Sequence, residues 1–514
     1  MKRKALLWGI SIAVSIGLLA VNWFFETQTI KVDPKISYEE FKSKLDKMVP
    51  ALMKKYNVPG IAAGIIRNGK TDFLKGYGWA DREKKIKINK NTVFQVASNS
   101  KTFTAWGIMR LVEEGKLNLD TPVMKYLTRW KLPQSHFDNN GITLRRILSH
   151  TAGLSPGSYA GYPPGQKLPT LEQSLSGEVK GTGGVHLTRK PGLKYKYSGG
   201  GYALAQLIIE EVTGKSFAGY MEEAVLKPLG MKDSSFEWNR KLQVNLSKAY
   251  GTLGGNLPNY LFTEQAAAGL YTNVSDFSRF IEGNLAVLNK NSEENGILSP
   301  ESLALMLTPI DEDYGFGYII KELPDGTRLV YHGGSNRGWR SQFAFLPERG
   351  DGLIVLTNSE NGENLHRDLV SLWTKWETGY YPDFRTKVVL LRVLVRTAAL
   401  IAFLLLAANI WKFFKEVRNK RKFFILSAGL KSGKDRIRVL AKCLLPLLLT
   451  MFWLFLFYTG AVYHGWTFAS FMPSGFLWVT VTAVLWGIFL SAGGLFAIEG
   501  KTADDLRQLE VFKA

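Results

Sequence analysis

Cysteine is almost absent: Cys443 stands alone in 514 residues. A single thiol excludes an internal disulfide framework and a cysteine-rich zinc module. Histidine is nearly as scarce, six in all and scattered, so no HExxH-type metal helix is present and neither a metal nor another cofactor is implied. No Walker A pattern, dinucleotide fingerprint or calcium loop occurs either. Acidic residues are outnumbered, 44 against 65 basic, for a net charge of +21. That excess would suit nucleic acid if it lay on one globular face. It does not: fourteen basic residues, opposed by Glu416 and Asp435, fall between Thr386 and Lys442, and Lys2, Arg3 and Lys4 open the chain. Two thirds of the net charge therefore flanks apolar segments, the pattern of membrane charge rather than of a DNA-binding surface.

Those apolar segments set the expected topology. Ala5 to Phe25 carries no charge and, at 21 residues, matches the roughly 20 needed to span a bilayer. It is expected to be an uncleaved anchor within residues 1–26, the alternative being a signal peptide, whose apolar stretch is usually shorter. Cys443–Tyr463 and Phe476–Ile498 are two further uncharged runs. A fourth span, 388–414, requires Arg392 and Arg396 to snorkel outward from an uncharged centre at Thr397–Trp411. The expectation is a multi-pass membrane protein in contact with the lipid bilayer. Its globular domain, 35–384, lies outside the cytoplasm, while the basic loop 415–442 and the tail 499–514 lie inside, as the positive-inside rule requires. Transport by the C-terminal bundle is a weaker expectation, since Thr450, Thr480, Thr482 and Ser491 are the polar residues those spans offer.

The globular stretch reads as α+β. Gly60–Ile66 and Thr71–Gly78 flank Asn68-Gly69, a hairpin signal. Arg328–His332, Gln342–Leu346 and Leu353–Thr357 predict strands near its end. Between them, Thr102–Glu114 and Tyr202–Val212 have helical spacing and stop near Gly115 and Gly214. Strands at both ends with helices between predict terminal strands that meet in one sheet.

Ser98-Asn99-Ser100-Lys101 is the one Ser-x-x-Lys of the chain. If Ser98 opens the following helix, Lys101 lies one turn on along the same face and its amine can serve the hydroxyl as a base. Taken alone, the tetrapeptide is a weak signal, expected about twice by chance in a chain this long, and a helix N-cap explains it better. Gly153-Leu154-Ser155-Pro156-Gly157 matches the Gly-x-Ser-x-Gly elbow, but that elbow needs a helix directly after its serine. Pro156, Gly157, Gly161, Pro163 and Pro164 forbid one. Ser155 is therefore set aside, and His150 is expected to fix a loop by hydrogen bonding.

The surroundings of Ser98, Phe94 to Ala105 followed by Glu114-Gly115-Lys116-Leu117, resemble the nucleophile region of serine β-lactamase and penicillin-binding-protein-like hydrolases, nearest the class C β-lactamase-related branch. Ile142–Leu154 with His150-Thr151-Ala152-Gly153, Pro191-Gly192 leading to Tyr197-Ser198-Gly199, Lys227–Met231, and His332-Gly333-Gly334-Ser335 follow in the family's order. The resemblance implies a β-lactamase/DD-peptidase-like fold: an antiparallel sheet flanked by helices, with an all-helical subdomain. It implies acylation of Ser98, assisted by Lys101, with Tyr197 completing the base and protonating the leaving group, its phenol pKa lowered from about 10 by Lys101. His332, Gly333, Gly334 and Ser335 would form the substrate-binding edge strand. Glycines there would admit substrate to the backbone, and the amides of Ser98 and Ser335 would make the oxyanion hole. The family's asparagine two residues after the tyrosine is Gly199 here, which favours ester substrates or a slow acyl-enzyme. The expected substrates are cell-envelope D-alanyl esters or amides, or small acyl esters. β-Lactam hydrolysis, D-Ala-D-Ala carboxypeptidase action and slow-turnover penicillin sensing are the alternatives.

Overall fold

The computed structural model describes residues 17, 19–21, 31–157, 159, 161–178, 183–288, 297–419, 422–424, 433–463 and 475–498. Seven strands form the main sheet: β1 (Gly60–Arg67), β2 (Lys70–Asp81), β3 (Ile86–Lys87), β4 (Ile319–Glu322), β5 (Arg328–Asn336), β6 (Trp339–Leu346) and β7 (Asp351–Thr357). Their order is β3-β2-β1-β7-β6-β5-β4, antiparallel throughout. Asn68 and Gly69 take φ of 49° and 75°, the mirror-image turn whose twist suits a two-residue hairpin between β1 and β2. β1 then pairs with β7, Ile61 opposite Thr357 through Ile66 opposite Gly352, so the two ends of the domain meet as the pattern of strands predicts. β5 begins as expected but runs four residues past His332, carrying the His-Gly-Gly-Ser segment inside a strand.

Alternation along β6 assigns the two faces. Phe343 meets Phe277 of α4 (Val274–Leu288), ring centroids 5.6 Å apart. Arg340, three residues away and so on the opposite face, packs beneath α5 (Gly362–Thr378), where a Cβ on Gly362 would come within 3.0 Å of its own Cβ. α1 (Tyr38–Tyr56) joins α5 through Phe41, stacked 4.3 Å from Trp376.

The helical part centres on α2 (Ser100–Glu113) and α3 (Gly199–Thr213). α2 ends where Gly115 takes φ 68° and the amides of Gly115 and Lys116 bond back to Val112 and Leu111, the left-handed stop that glycine favours. Gly214 ends α3 likewise. Phe103 and Trp106 of α2 are fully buried, Phe103 stacking 3.8 Å from Phe280 of α4. Burial of each stabilises the fold by about 1.5–3 kcal/mol. The family-like architecture, antiparallel sheet with flanking helices and a helical lobe, is thus present in Val32–Pro382, one of two compact units.

The second unit contains α6 (Asp383–Arg418), α7 (Gly433–Tyr463) and α8 (Gly475–Gly493). Among the described residues one helix, α6, is long and apolar enough to cross a membrane; the apolar stretches Val439–Phe455 and Trp478–Gly493 are shorter. Trp486 donates to the Ala402 carbonyl at 3.1 Å, and a Cβ on Gly487 would collide with Thr450 Oγ1 at 1.8 Å, so α8 touches both neighbours. Thr450 and Thr482 bond carbonyls of their own helices at 2.7 and 2.8 Å. The expected N-terminal anchor lies almost wholly outside the described residues, as does the tail 499–514.

Candidate active site

Phe94 and Gln95 pair with Thr272 and Tyr271, and that short ladder delivers the chain to Ser98. The helix does not begin there. Ser98 sits in a single 3₁₀ turn, Ala97–Asn99, and α2 starts at Ser100. Ala97 holds φ 48°, a left-handed conformation costing on the order of 1 kcal/mol or more for a residue with a Cβ. The surroundings hold it: Ser341 Oγ donates to Val96 O at 2.7 Å and accepts from Asn99 Nδ2 at 2.9 Å. No side-chain cap bond is made at either the turn or the helix start, so Ser98 is not spent as a cap.

The three-residue spacing survives the change of helix type. Lys101 Nζ lies 3.1 Å from Ser98 Oγ and 2.6 Å from Ala267 O. The lysine is only 2 % exposed, and burial alone lowers its pKa from 10.5 to about 7. Tyr197 arrives from a loop that ends at Ser198, the N-cap of α3, and its ring centroid is 5.0 Å from Lys101 Nζ. Ser98 lies close enough to the phenol to favour its ionised form in part. The hydroxyl, amine and phenol therefore converge, half-buried Ser98 and Tyr197 (36 % exposed) facing solvent.

The electrostatics reverse one expectation. The phenol of Tyr197 is not brought down; desolvation pushes its pKa up, and the nearby Ser98 hydroxyl offsets only part of that. The group poised near neutrality is Lys101. A buried ammonium sheds its proton readily, whereas a desolvated phenol keeps its own.

His332 also departs from expectation. It is 3 % exposed, with Nδ1 2.7 Å from Gly333 O and Nε2 2.6 Å from the Tyr314 hydroxyl. Both ring nitrogens are engaged within the protein, so the imidazole does not line the cleft. Burial first, then Lys101, hold its pKa at about 3. The two glycines after it divide their roles. A Cβ on Gly334 would stand 2.1 Å from Val96 O, so this glycine lets β5 lie directly against the turn that carries Ser98. A Cβ on Gly333 would meet nothing nearer than 3.7 Å. Close approach of protein backbone, not of substrate, explains Gly334. β4 pairs with β5 only as far as Tyr331, leaving the 332–334 edge beyond that ladder. Ser335 pairs with Arg340.

His150 fixes a loop, as expected. Its Nδ1 accepts from the Ser198 amide at 3.0 Å, and its ring lies 4.3 Å from that of Tyr197. Burial, Lys101 and His332 all keep it neutral. Ser155 is elsewhere engaged, its hydroxyl donating to Gly184 O at 2.8 Å, and loop rather than helix follows. At Gly199 an added Cβ would meet Pro156 O and the Tyr159 ring, each at 3.1 Å, so Tyr159 crowds the space a larger residue would need. Sequence reasoning missed Tyr314, Tyr202 (ring 5.6 Å from Lys101 Nζ) and the Ala267 carbonyl. The available signal was Gly315 and Gly317 flanking Phe316, since alternating glycines mark close backbone approach.

Fold and site together define a serine, lysine and tyrosine cluster between a sheet edge and a helical lobe. A family model described as Beta-lactamase matches residues 45–372, and the chain belongs to that family. It is 26% identical to Protein flp of Staphylococcus aureus (strain MRSA252) over 386 residues, 72% of this chain and 75% of that one. A penicillin-binding protein of Bacillus subtilis (strain 168) is 27% identical over 304 residues, 55% of this chain and 64% of that one. The octameric penicillin-binding protein homologue from Pyrococcus abyssi superposes with a TM-score of 0.57 at 28% identity, covering 67% of this chain and 80% of that one.

Proposed function

We propose that this protein is a membrane-anchored, extracytoplasmic serine hydrolase acting through an acyl-enzyme at Ser98. Its substrates on this reading are cell-envelope D-alanyl esters or amides, or small acyl esters. The observation that carries the reading is the 3.1 Å approach of the buried Lys101 amine, its pKa lowered to about 7, to the Ser98 hydroxyl. Neutral Lys101 takes the Ser98 proton as Oγ bonds to the substrate carbonyl carbon. The oxyanion develops between the amides of Ser98 and Ser335. Tyr197, which holds its proton, gives it to the leaving oxygen or nitrogen as the bond from that atom to the carbonyl carbon breaks and the carbonyl re-forms, and the Lys101 ammonium restores it. Water then releases the acyl group by the reverse relay. Two of the relatives are named for penicillin binding, which supports a serine that accepts acyl groups. Gly199, crowded by Tyr159, offers no side-chain amide to a substrate's acyl-side amide and favours esters.

Membrane anchoring draws support from α6, from large exposed apolar side chains such as Phe403, Leu444 and Ile488 on α6, α7 and α8, and from the basic flanks. The test incubates the full-length protein in detergent with a fluorescent penicillin, a p-nitrophenyl ester and D-alanylated wall polymer, beside Ser98→Ala. Acyl transfer and release that depend on Ser98 are expected; covalent labelling that persists in Ser98→Ala overturns the site. A reporter fused after Lys422 should be cytoplasmic, and finding it outside overturns the topology.

A further inference from the structure

Taking Lys101 as the base in this proposed reaction creates a requirement: as Ser98 gives up its proton, Lys101 becomes an ammonium in a buried cluster. Any second cation there opposes that step, because charges a few ångströms apart in a desolvated site interact strongly. The groups that could supply one are His332 and His150, both within electrostatic reach of Lys101. The other titratable neighbours, Tyr195, Tyr197, Tyr202 and Tyr314, are phenols that burial keeps protonated and uncharged.

The Gly333 carbonyl can only accept, so His332 Nδ1 carries the ring proton and Nε2 presents a lone pair. The Tyr314 hydroxyl therefore donates to Nε2, at 2.6 Å. Tyr314 is itself fixed relative to Lys101. Its ring stands 4.8 Å from that of His150 and 5.3 Å from that of Tyr195. The segment that follows it lies on the start of α2: Thr102 Oγ1 donates to Gly317 O at 2.8 Å, and a Cβ on Gly317 would stand 3.0 Å from Thr102 Cα. A Cβ on Gly315 would meet Met306 O at 2.2 Å. The placement of this hydroxyl is thus set by backbone packing on the helix that bears the base.

We propose that Tyr314 is a positioning residue: by donating to His332 Nε2 it locks the imidazole in one neutral tautomer, clamps the cleft edge at Gly333, and keeps Lys101 the one group of the cluster that gains charge during acylation. Burial and Lys101 already weigh against a charged His332; removing the donor takes away the hydrogen bond that adds to them and leaves Nε2 open to a proton, and a charged His332 then opposes formation of the Lys101 ammonium.

The test uses the full-length protein in detergent, wild type and Tyr314→Phe, with two readouts. In the first, the rate of acylation by p-nitrophenyl ester is followed from pH 5 to 9. The variant is expected to lose about tenfold near pH 6 and much less at pH 8, its acid limb steepening from one proton to two. In the second, ¹⁵N spectra of histidine-labelled protein are expected to show His332 as a single Nδ1-protonated tautomer in wild type and as a titrating group in the variant. A variant profile parallel to wild type, whether lower or unchanged, overturns the proposal, as does an unaltered His332 spectrum. The spectra also separate the two ideas: if wild type transfers no acyl group the hydrolase reading fails, while the Tyr314–His332 lock is still judged by ¹⁵N shifts alone.

Discussion

Two serines occupy tight turns in the same domain, and only one has the neighbours of a nucleophile. Ser155 sits in the Gly-x-Ser-x-Gly pattern, yet its hydroxyl donates to Gly184 O and accepts from the His186 amide at 3.3 Å. It staples a loop. Ser98, in a less conspicuous tetrapeptide, has a buried amine at 3.1 Å, and that amine lies 5.0 Å from the ring of Tyr197. Reactivity follows from which partners reach the oxygen, because a serine hydroxyl needs an adjacent base to act at neutral pH.

The largest expected effect breaks the comparison outright. Ser98→Ala should abolish covalent labelling by fluorescent penicillin, a loss of at least about 10³-fold, measured on gels. Lys101→Met comes next, with acylation slowed by about 10²–10⁴-fold. The same variant should melt at a higher temperature at pH 7. The folded state holds the Lys101 amine at about 7 against 10.5, so between those values the unfolded chain binds the extra proton and stability rises with pH; removing the amine removes that penalty. A variant that labels normally, or that melts lower, contradicts the assignment. In wild type, acylation should fall about tenfold per pH unit below 7, as Lys101 takes up its proton; a profile flat down to pH 5 would mean the amine is not the base.

Smaller effects sharpen the contrast. Gly334→Ala should lower stability by about 1–3 kcal/mol and slow labelling, since the new methyl would strike the Val96 carbonyl ahead of Ser98, whereas Gly333→Ala should be tolerated. Equal behaviour in denaturant titrations would refute the packing account. Ser155→Ala should cost about 1 kcal/mol from its lost hydrogen bonds and leave the labelling rate unchanged.

The hairpin at Asn68-Gly69, the terminal strands and the ends of α2 and α3 were legible because turn and cap residues act locally: a backbone that needs positive φ selects glycine or asparagine whatever surrounds it. Ser98 and Lys101 were legible for the same reason, their contact spanning three residues. The 3₁₀ turn was not, because Ala97 takes φ 48° only under the hold of Ser341, some 240 residues on.

By itself the sequence determined which residue types were available and which short-range geometry joined them: the strand and helix order, the Ser98–Lys101 pair and the exclusion of Ser155 by the prolines and glycines after it. Tertiary structure alone decided the charge states. Burial moved the poised proton from Tyr197 to Lys101, turned His332 away from the cleft onto Tyr314, and assigned Gly334 to the Val96 carbonyl. Such outcomes depend on what is excluded from water and what meets across the fold, and neither quantity is carried by residues a few positions apart.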